Sequence, residues 1–398
     1  MTSAHSEDRA NDSRVCLSIG IIAWNEEEAI EATLRSVWRQ TLFSEIHQRG
    51  LRSEIIVLAN GCTDRTVELT NRFFTSVQAE AIARSVSCRV IEVVQRGKNH
   101  SWNLFVHSYS ALHAACLYLM DADIAIQGRD SLWSMYCALE ADGKASVSVD
   151  QPLKDIALNP RKSVSERISV ATSGMTQAIP GQLSGQLYCI RSSIARQIYL
   201  PRDLSACEDG FIKALVCTDF LTSPVAAERI VTAPGAAHVF ESYRKISEVM
   251  RNQKRQMIGQ TIVHILVDKY LNELSLSERV NMADAIRQRE NSDRDWLKRL
   301  IAEHLREIRY FWRLFPNLLR FRFERWRVLP ALHRIRCLPS LLVGYGVTLL
   351  ASHMAYRFLK QGSIDYWPHT RSPGLKQFVP NGRSNTTSEP LITPAIQP

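Results

Sequence analysis

The chain has 398 residues, 45% of them hydrophobic, and a formal net charge of +9. That length and apolar content suffice for one large or two medium globular domains. The charge is concentrated in residues 306–336, which hold nine arginines against two glutamates. The nearly neutral remainder argues against a chain coated with nucleic acid.

The cysteines indicate a reducing compartment. They number nine, are scattered along the chain and form no Cys-x-x-Cys pair. This pattern is typical of free thiols in a cytosolic protein rather than of a disulfide framework or a zinc site. Residues 1–14 are polar, show no signal peptide and are expected to form a disordered leader. The sequence predicts a cytoplasmic protein, with peripheral attachment to the inner face of a membrane left open.

The first third of the chain repeats one pattern, in which a short apolar run is followed by a polar loop and a helical periodicity. After the run at 16–23, for example, Ile30, Leu34 and Val37 recur on one helical face. Such repeats predict a parallel, doubly wound α/β sheet. The predicted strands are at 16–23, 54–59, 89–94 and 118–120. The first helix is expected to be capped by Asn25, with Glu26 to Glu28 in its first turn; a second is expected to start near 65, and a third to reach residue 115.

Signals for regular structure are weaker in the second half. Strands are expected at 146–149, 186–190, 229–231 and 236–240, and a helix at 211–216. From residue 243 to about 315 the pattern is helical, and the Pro-, Ser- and Thr-rich tail from 363 is expected to be disordered. The predicted organisation is a leader at 1–14, a sheet domain at 15–260, a helical extension rich in Arg and aromatic residues at 261–362, and a tail at 363–398.

Asp121 and Asp123 follow the fourth predicted strand directly. Two carboxylates at the end of a buried strand are unfavourable unless a cation neutralises them. Mg²⁺ and Mn²⁺ prefer oxygen ligands and commonly keep positions open for substrate phosphates. The alternative is that Asp-x-Asp only ends the strand and starts a turn. All four polar loops lie at carboxyl ends of strands, where doubly wound sheets bind ligands, and this favours the metal site.

Six short segments follow one another in a recognisable order over about residues 15–260. They are Trp24-Asn25-Glu26, Asn60-Gly-Cys-Thr-Asp64, Gly97-Lys98 with Asn103, Asp121-Ala-Asp123, Gly181 to Gly185 followed by Arg191, and Glu208-Asp209. No segment is specific alone, but in their order and spacing they resemble GT-A fold glycosyltransferases, most closely those of family 2. The resemblance implies a Rossmann-like, doubly wound mixed sheet, and transfer of a sugar from a nucleotide-sugar donor to a lipid-linked or small hydroxyl acceptor.

The resemblance also implies roles for individual residues. Asn60 and Cys62 stand where the family usually has Asp and Ser, so the base of the donor stays open. Local alternatives also stay open: Asp64 as a helix cap, Lys98 as a solvated lysine, His238 as a core residue. The implied donor-binding residues are Trp24, Asn25, Glu26, Asn60, Asp64, Lys98, Asp121 and Arg255. The implied ligands of Mg²⁺ or Mn²⁺ are Asp121, Asp123 and His238.

The pair Glu208-Asp209 is the candidate catalytic element. In inverting transfer the acceptor hydroxyl loses its proton as it attacks, and Asp209 is the candidate general base. Glu208 is expected to position that site or the acceptor. The alternative is an acidic pair that only suits a helix N-terminus. Arg251 and Arg255 share one helix face, and Gln256 stands where processive relatives carry Trp, which speaks against a polysaccharide synthase.

The C-terminal third combines basic and aromatic residues. Arginines and aromatic side chains alternate through 306–336, which suits an anionic membrane surface. The uncharged run 337–356 is long enough to span a bilayer, but Pro339, Gly344 and Gly346 favour a packed or interfacial helix. An ordinary helical subdomain is the alternative.

Two other functions compete with glycosyl transfer. A nucleotidyltransferase shares the α/β sheet and the acidic metal site, but its Gly-rich, Lys/Arg-bearing signature is absent near the N-terminus. A catalytically silent GT-A-like binding protein would not need Asp121, Asp123 and Asp209. No nucleic-acid partner is expected.

Overall fold

The computed structural model describes residues 15–158, 181–243, 245–314 and 331–362, together with positions 323, 326, 327, 375 and 378. The expected leader at 1–14 and most of the tail at 363–398 lie outside the described residues. Among the helices described, none combines the length and the apolar character needed to cross a membrane.

The described strands form one mixed sheet. They are β1 Val15–Ala23, β2 Arg52–Asn60, β3 Val86–Val93, β4 Cys116–Asp121, β5 Ile124–Gln127, β6 Val147–Lys154, β7 Leu187–Arg191 and β8 Ile230–Phe240. Their order in the sheet is β3-β2-β1-β4-β7-β6-β8-β5. The first four are mutually parallel, whereas β7 runs antiparallel to β4 and β6. The predicted doubly wound mixed sheet is thus confirmed.

Helices flank the sheet and continue into a helical C-terminal region. The described α-helices are α1 Ile30–Trp38, α2 Leu42–Gln48, α3 Thr66–Val77, α4 Lys98–Leu104, α5 Ser131–Ala141, α6 Ser192–Ala195, α7 Glu208–Cys217, α8 Ile246–Lys269, α9 Leu276–Val280, α10 Met282–Ser292, α11 Trp296–Glu307 and α12 Ala331–Lys360. A π-helical turn, Phe105–Tyr109, extends α4.

Strand β1 explains why helices cover both faces of the sheet. Because successive side chains of a strand point to opposite faces, Leu17, Ile19 and Ile21 enter one apolar core, with α1, α2 and α3. Ile22 enters the other core, where Phe105 is buried. On that second face a Cβ at residue 20 would lie 2.8 Å from the Phe105 ring, so glycine is what allows this ring to pack on the strand.

Four sequence predictions differ from the structure. The helix expected to be capped by Asn25 begins only at Ile30. The helix expected to reach residue 115 ends at Tyr109. The two strands expected at 229–231 and 236–240 form one strand, β8, whose register with β6 shifts between Val149 and Gln151. The expected domain boundary at 260 falls inside α8, and one apolar core joins Ile262 of that helix to side chains of the sheet.

Candidate active site

A cavity of about 750 Å³ opens at the carboxyl ends of β1 and β4 and is closed on its other side by α7 and α8. This volume is typical of small-molecule sites. Eight of the predicted site residues line it: Trp24, Glu26, Lys98, Asp121, Asp123, Glu208, Asp209 and Arg255. The other four, Asn25, Asn60, Asp64 and His238, are not among the lining residues.

Asn25 and Asp64 hold the loops after β1 and β2 together. Asn25 has a positive φ of 56°, and its side-chain oxygen accepts a hydrogen bond of 2.8 Å from the Thr63 N–H. Asp64 accepts from the Glu27 N–H and from the Thr66 N–H, both at 3.0 Å. Asp64 precedes the N-cap residue Arg65 and binds the first N–H group of α3, so its position is close to the helix-cap alternative that the sequence left open.

Asn60 is fully buried at the end of β2. Its side-chain oxygen accepts a hydrogen bond of 2.7 Å from the Gly97 N–H, so it fixes the residue before Lys98. The expected direct contact with a nucleotide base does not fit this placement, because the amide oxygen faces the neighbouring loop.

Lys98 lies at the start of α4, between Asp121 at the end of β4 and Glu208 at the start of α7. Its ammonium is 2.7 Å from Asp121 Oδ1 and 2.6 Å from Glu208 Oε1, and its side chain is 21% exposed. Burial lowers the pKa of Lys98, but the two carboxylates outweigh burial and raise it overall. Lys98 is therefore a charged, paired group rather than a solvated lysine.

Three carboxylates, Glu26, Asp121 and Asp123, interact electrostatically on the β1 and β4 side of the cavity. Asp121 ends β4, and Asp123 lies in the two-residue turn before β5. Burial, with repulsion from Asp123 and Asp121, raises the pKa of Glu26 to about 10. Burial and Asp123 also raise the pKa of Asp121 to about 6, although Lys98 opposes this. The surplus of negative charge is what a bound cation would neutralise.

This donor set fits a hard divalent cation that also binds a substrate. Within the part of the chain that is described, no three or more His, Cys, Asp or Glu side chains are arranged to hold an ion by themselves. Mg²⁺ characteristically uses one or two carboxylates and completes its shell with waters and phosphate oxygens. Asp121 and Asp123 fit such a partly open site.

His238 does not lie with these carboxylates in the cavity. It is fully buried on β8, and its Nδ1 is 2.8 Å from Asp150 Oδ2, a carboxylate that is itself buried. Its Nε2 is 3.3 Å from Gln186 Oε1. The expected role as a metal ligand does not fit, because both ring nitrogens already have protein partners. His238 instead supports Gln186, whose carbonyl accepts the Asp121 N–H at 2.9 Å.

Glu208 and Asp209 begin α7, directly after Cys207, whose φ is +61°. Burial and the charge of Glu208 raise the pKa of Asp209 to about 6. Burial opposes ionisation of Glu208 too, but Lys98 outweighs it and lowers the pKa of that group. Adjacent carboxylates therefore differ in role: Glu208 stays ionised, whereas Asp209 can exchange a proton near neutral pH.

Helix α8 supplies a cationic wall opposite the carboxylates. Arg251 and Arg255 line the cavity, and the buried Arg255 Nε has no hydrogen-bond partner among the described groups. One turn after Arg255, a Cβ at residue 259 would lie 2.7 Å from the Ala206 carbonyl. Gly259 thus lets α8 approach α7 closely enough for Arg255 to reach the cavity.

Several lining residues were not predicted as site residues. They include the serine and amide groups Ser184, Gln186, Ser205 and Asn252, the cations Arg202 and Lys245, and Tyr243. Arg251 is the exception in part, since its spacing from Arg255 indicated a shared face. Ser184 belongs to the Gly181 to Gly185 segment. The others come from loops or from the first two turns of α8 and carry no motif, so only the fold brings them together.

Comparison with known proteins bears on the first half of the chain. Residues 18–192 match the model of the family described as Glycosyl transferase family 2. No curated protein matches the sequence.

Several solved structures have a similar fold at low sequence identity. A mannosyltransferase from Pyrobaculum calidifontis, in complex with GDP-Man and Mn²⁺, is 16% identical, with 87% of this chain and 86% of that chain covered and a TM-score of 0.49. S. aureus TarS 1-349 is 14% identical, with 87% and 92% covered and a TM-score of 0.41. Glucosyl-3-phosphoglycerate synthase from Mycobacterium tuberculosis, in complex with Mn²⁺, UDP and glucosyl-3-phosphoglycerate, is 15% identical, with 64% and 83% covered and a TM-score of 0.38. Likenesses of this size carry no argument about the substrates of this chain.

The family match confirms the resemblance found in the sequence, and the order of Trp24-Asn25-Glu26, Asn60 to Asp64, Lys98 and Asp121-Ala-Asp123 within 18–192 agrees with it. Residues 18–192 therefore form a segment that matches glycosyl transferase family 2, and through this segment the chain is similar to glycosyltransferases.

Proposed function

We propose that the protein transfers a sugar from a nucleotide-sugar donor to a hydroxyl acceptor, lipid-linked or small, with inversion at the anomeric carbon. One observation carries the proposal. A carboxyl group with its pKa raised to about 6, Asp209, lies in the same cavity as the Asp121-Ala-Asp123 turn. A general base works best when its pKa lies near the operating pH.

The donor would bind on the β1 and β4 side of the cavity. Trp24 and Glu26 line it there, and the Arg96 guanidinium lies 3.4 Å from the centre of the Trp24 ring. Lys98 and Arg255 supply positive charge for the diphosphate. Asn25, Asn60 and Asp64 would act indirectly, by holding the loops that carry these groups.

Asp121 and Asp123 would hold Mg²⁺ or Mn²⁺ together with diphosphate oxygens. A cation bound there acts as a Lewis acid and offsets the negative charge that builds on the leaving nucleoside diphosphate. Lys98 would add a second positive charge on the same side, since it already contacts Asp121. The cavity thus contains side chains that can offset the negative charge developing on the leaving nucleoside diphosphate.

The proton would go to Asp209. The acceptor oxygen forms the new bond to the anomeric carbon, and its proton passes to the Asp209 carboxylate. The bond from the anomeric carbon to the diphosphate oxygen breaks, and the electron pair leaves with the nucleoside diphosphate. Glu208, kept ionised by Lys98, would hold the acceptor through a second hydroxyl and raise the basicity of Asp209.

We propose a cytoplasmic location at the periphery of a membrane. The described cysteines are all free thiols, as expected in a reducing compartment. The basic region 306–336 would be attracted to anionic lipid headgroups on the cytoplasmic leaflet.

Asp209→Asn tests the chemistry. This variant should lose at least about 100-fold in turnover, because general-base catalysis contributes about 10²–10⁴, while calorimetry shows unchanged donor binding with Mn²⁺. Glu92→Gln, at an exposed position of β3, is the control and should keep full activity. Full activity of Asp209→Asn would exclude it as the base.

A thermal-shift screen of UDP-, GDP- and dTDP-sugars, with and without Mn²⁺, identifies the donor. Stabilisation by none of them in the presence of metal would count against glycosyl transfer by this cavity. Release of pyrophosphate instead of a nucleoside diphosphate would indicate the competing nucleotidyltransferase, and binding without turnover would indicate a silent binding protein.

A further inference from the structure

The outer face of α12 is apolar and exposed over several turns. The large hydrophobic side chains on this face are aliphatic or Met and are between 38% and 72% exposed, and the exposed His353 lies among them. They recur at helical spacing, so they form one stripe. The stripe consists of Ile335, Leu338, Leu342, Val343, Leu349, Leu350 and Met354.

The opposite face of α12 packs on the body only in its second half. Among its described residues the buried ones are Thr348, Ala351, Ser352, Ala355 and Leu359, which face α8 and α11. The first half, where Leu342 and Val343 are 61% and 67% exposed, has no buried side chain among those described. Exposed apolar patches of this extent mark interaction surfaces.

Aromatic residues extend the stripe at its side. The short segment at 310–313 packs on α12 through an edge-to-face contact of Phe311 with His353, with ring centroids 5.5 Å apart. Beside this contact Tyr310 and Trp312 stack on each other at 4.6 Å and are 41% and 56% exposed. Exposed Trp and Tyr at the border of an apolar surface are typical of a membrane interface.

Positive charge lies beside the C-terminal half of the stripe. Arg309, Arg313 and Arg357 are exposed, as is Lys360 in the last turn of α12. No charged residue interrupts 337–356 itself. In a symmetric dimer through this face each arginine would approach its counterpart or its neighbours from the second copy, which is unfavourable. An anionic bilayer surface is complementary to both the apolar stripe and the neighbouring cations.

We propose that the outer face of α12, together with Tyr310 and Trp312, docks on an anionic membrane surface, with α12 lying in the interface plane. The apolar side chains enter the headgroup boundary while the arginines contact lipid phosphates. The last turns of α12 pack on α8, where the Lys254 ammonium lies 4.2 Å from the centre of the Phe358 ring, and α8 lines the cavity. Docking would therefore bring the cavity to the bilayer surface. Resting on the proposed function, this favours the lipid-linked acceptor.

Vesicle binding tests the docking without any donor sugar, so its outcome is separate from that of the chemistry. The full chain is floated with phosphatidylcholine vesicles, with and without phosphatidylglycerol. We expect binding to the anionic vesicles, weakened by high salt, and at least about tenfold weaker binding to phosphatidylcholine alone.

The variant Leu342→Glu/Val343→Glu should reduce binding to anionic vesicles at least about tenfold, because each exchange replaces apolar contact by a charge repelled from the surface. The matched control is Leu276→Glu/Val280→Glu on α9, two positions that are 66% and 56% exposed. The control should bind as the parent does, and both variants should keep the parent melting temperature, since the changed side chains are exposed.

Equal vesicle binding by the two variants would overturn the proposal. So would the absence of binding to anionic vesicles by the parent chain. A different result would show that a second copy covers this face instead: the parent sediments as a dimer and does not bind vesicles, and the Leu342→Glu/Val343→Glu variant is monomeric.

Discussion

Glu26→Gln should stabilise the metal-free protein at neutral pH. Glu26 lies in the cavity beside Asp121 and Asp123, and burial together with their charges raises its pKa from 4.5 to about 10. At pH 7 the folded protein therefore binds a proton at Glu26 that the unfolded chain has released. Gln has nearly the shape of the protonated acid and cannot ionise. The variant therefore does not lose folding stability as the pH rises above the unfolded-state pKa of Glu26.

The sign and size of the effect follow from linkage. A group whose pKa is raised on folding stabilises the fold at low pH and loses that contribution as pH rises toward the folded-state value. For Glu26 the loss begins near pH 4.5 and ends near pH 10. Each pH unit above the unfolded-state pKa corresponds to about 1.4 kcal/mol of lost stability. Glu26→Gln should therefore gain about 3 kcal/mol in unfolding free energy at pH 7 and under 1 kcal/mol at pH 4.5.

Urea unfolding followed by tryptophan fluorescence, in EDTA at about pH 4.5, 6 and 7, measures this gain. Glu92→Gln, on the exposed end of β3, serves as the control and should show no pH-dependent difference. Saturating Mn²⁺ should shrink the gain, since a cation in the cavity neutralises the same carboxylates. A gain that does not grow with pH would refute the reasoning, as would a destabilised variant at pH 7.

Other changes test the remaining groups of the site. Lys98→Gln leaves two partly buried carboxylates without their ammonium and should lower the unfolding free energy by about 3 kcal/mol; an unchanged urea midpoint would contradict this pairing. Because burial and the neighbouring glutamate raise the pKa of Asp209 to about 6, and a base acts only when ionised, kcat/KM should rise with pH through about 6 and then level off. A profile that is flat from about pH 5 to 8 would argue for another base. His238→Ala should lower stability by about 3 kcal/mol, as it leaves a buried aspartate unpaired, but should weaken Mn²⁺ binding less than Asp123→Asn does. The reverse order of Mn²⁺ affinities would place the imidazole at the ion.

The sequence predicted the parallel half of the sheet well because each of its strands is a continuous apolar run that ends in a polar loop. It failed where packing rather than periodicity decides. Ala111 and Ala114 continue the helical spacing after β3, yet they enter the core from a loop. Strand β8 joins the two strands expected at 229–231 and 236–240, and it accommodates Pro234 and Gly235 between them where its register with β6 shifts.

The site residues also divide into those that the sequence pattern predicts and those that only the packing of the fold determines. Carboxylates next to strand ends, such as Asp121 and Asp123, could be identified from motif and position. Buried polar residues could not, because the sequence does not say which neighbour takes up their hydrogen bonds. Asn60 binds a loop N–H and His238 binds Asp150, two contacts between residues far apart in the chain.

The turn that carries Asp121 and Asp123 depends on a strand formed more than a hundred residues later. Strand β5, which leaves this turn, lies at the sheet edge and pairs with β8, from Ile124 with Phe240 to Gln127 with Ala237. A chain shortened after residue 192, where the family match ends, would keep both aspartates and lose the strand that anchors them. The smallest unit able to fold around this site is therefore longer than its recognisable family segment, and any domain exchange with a relative has to carry β8 along with the first half.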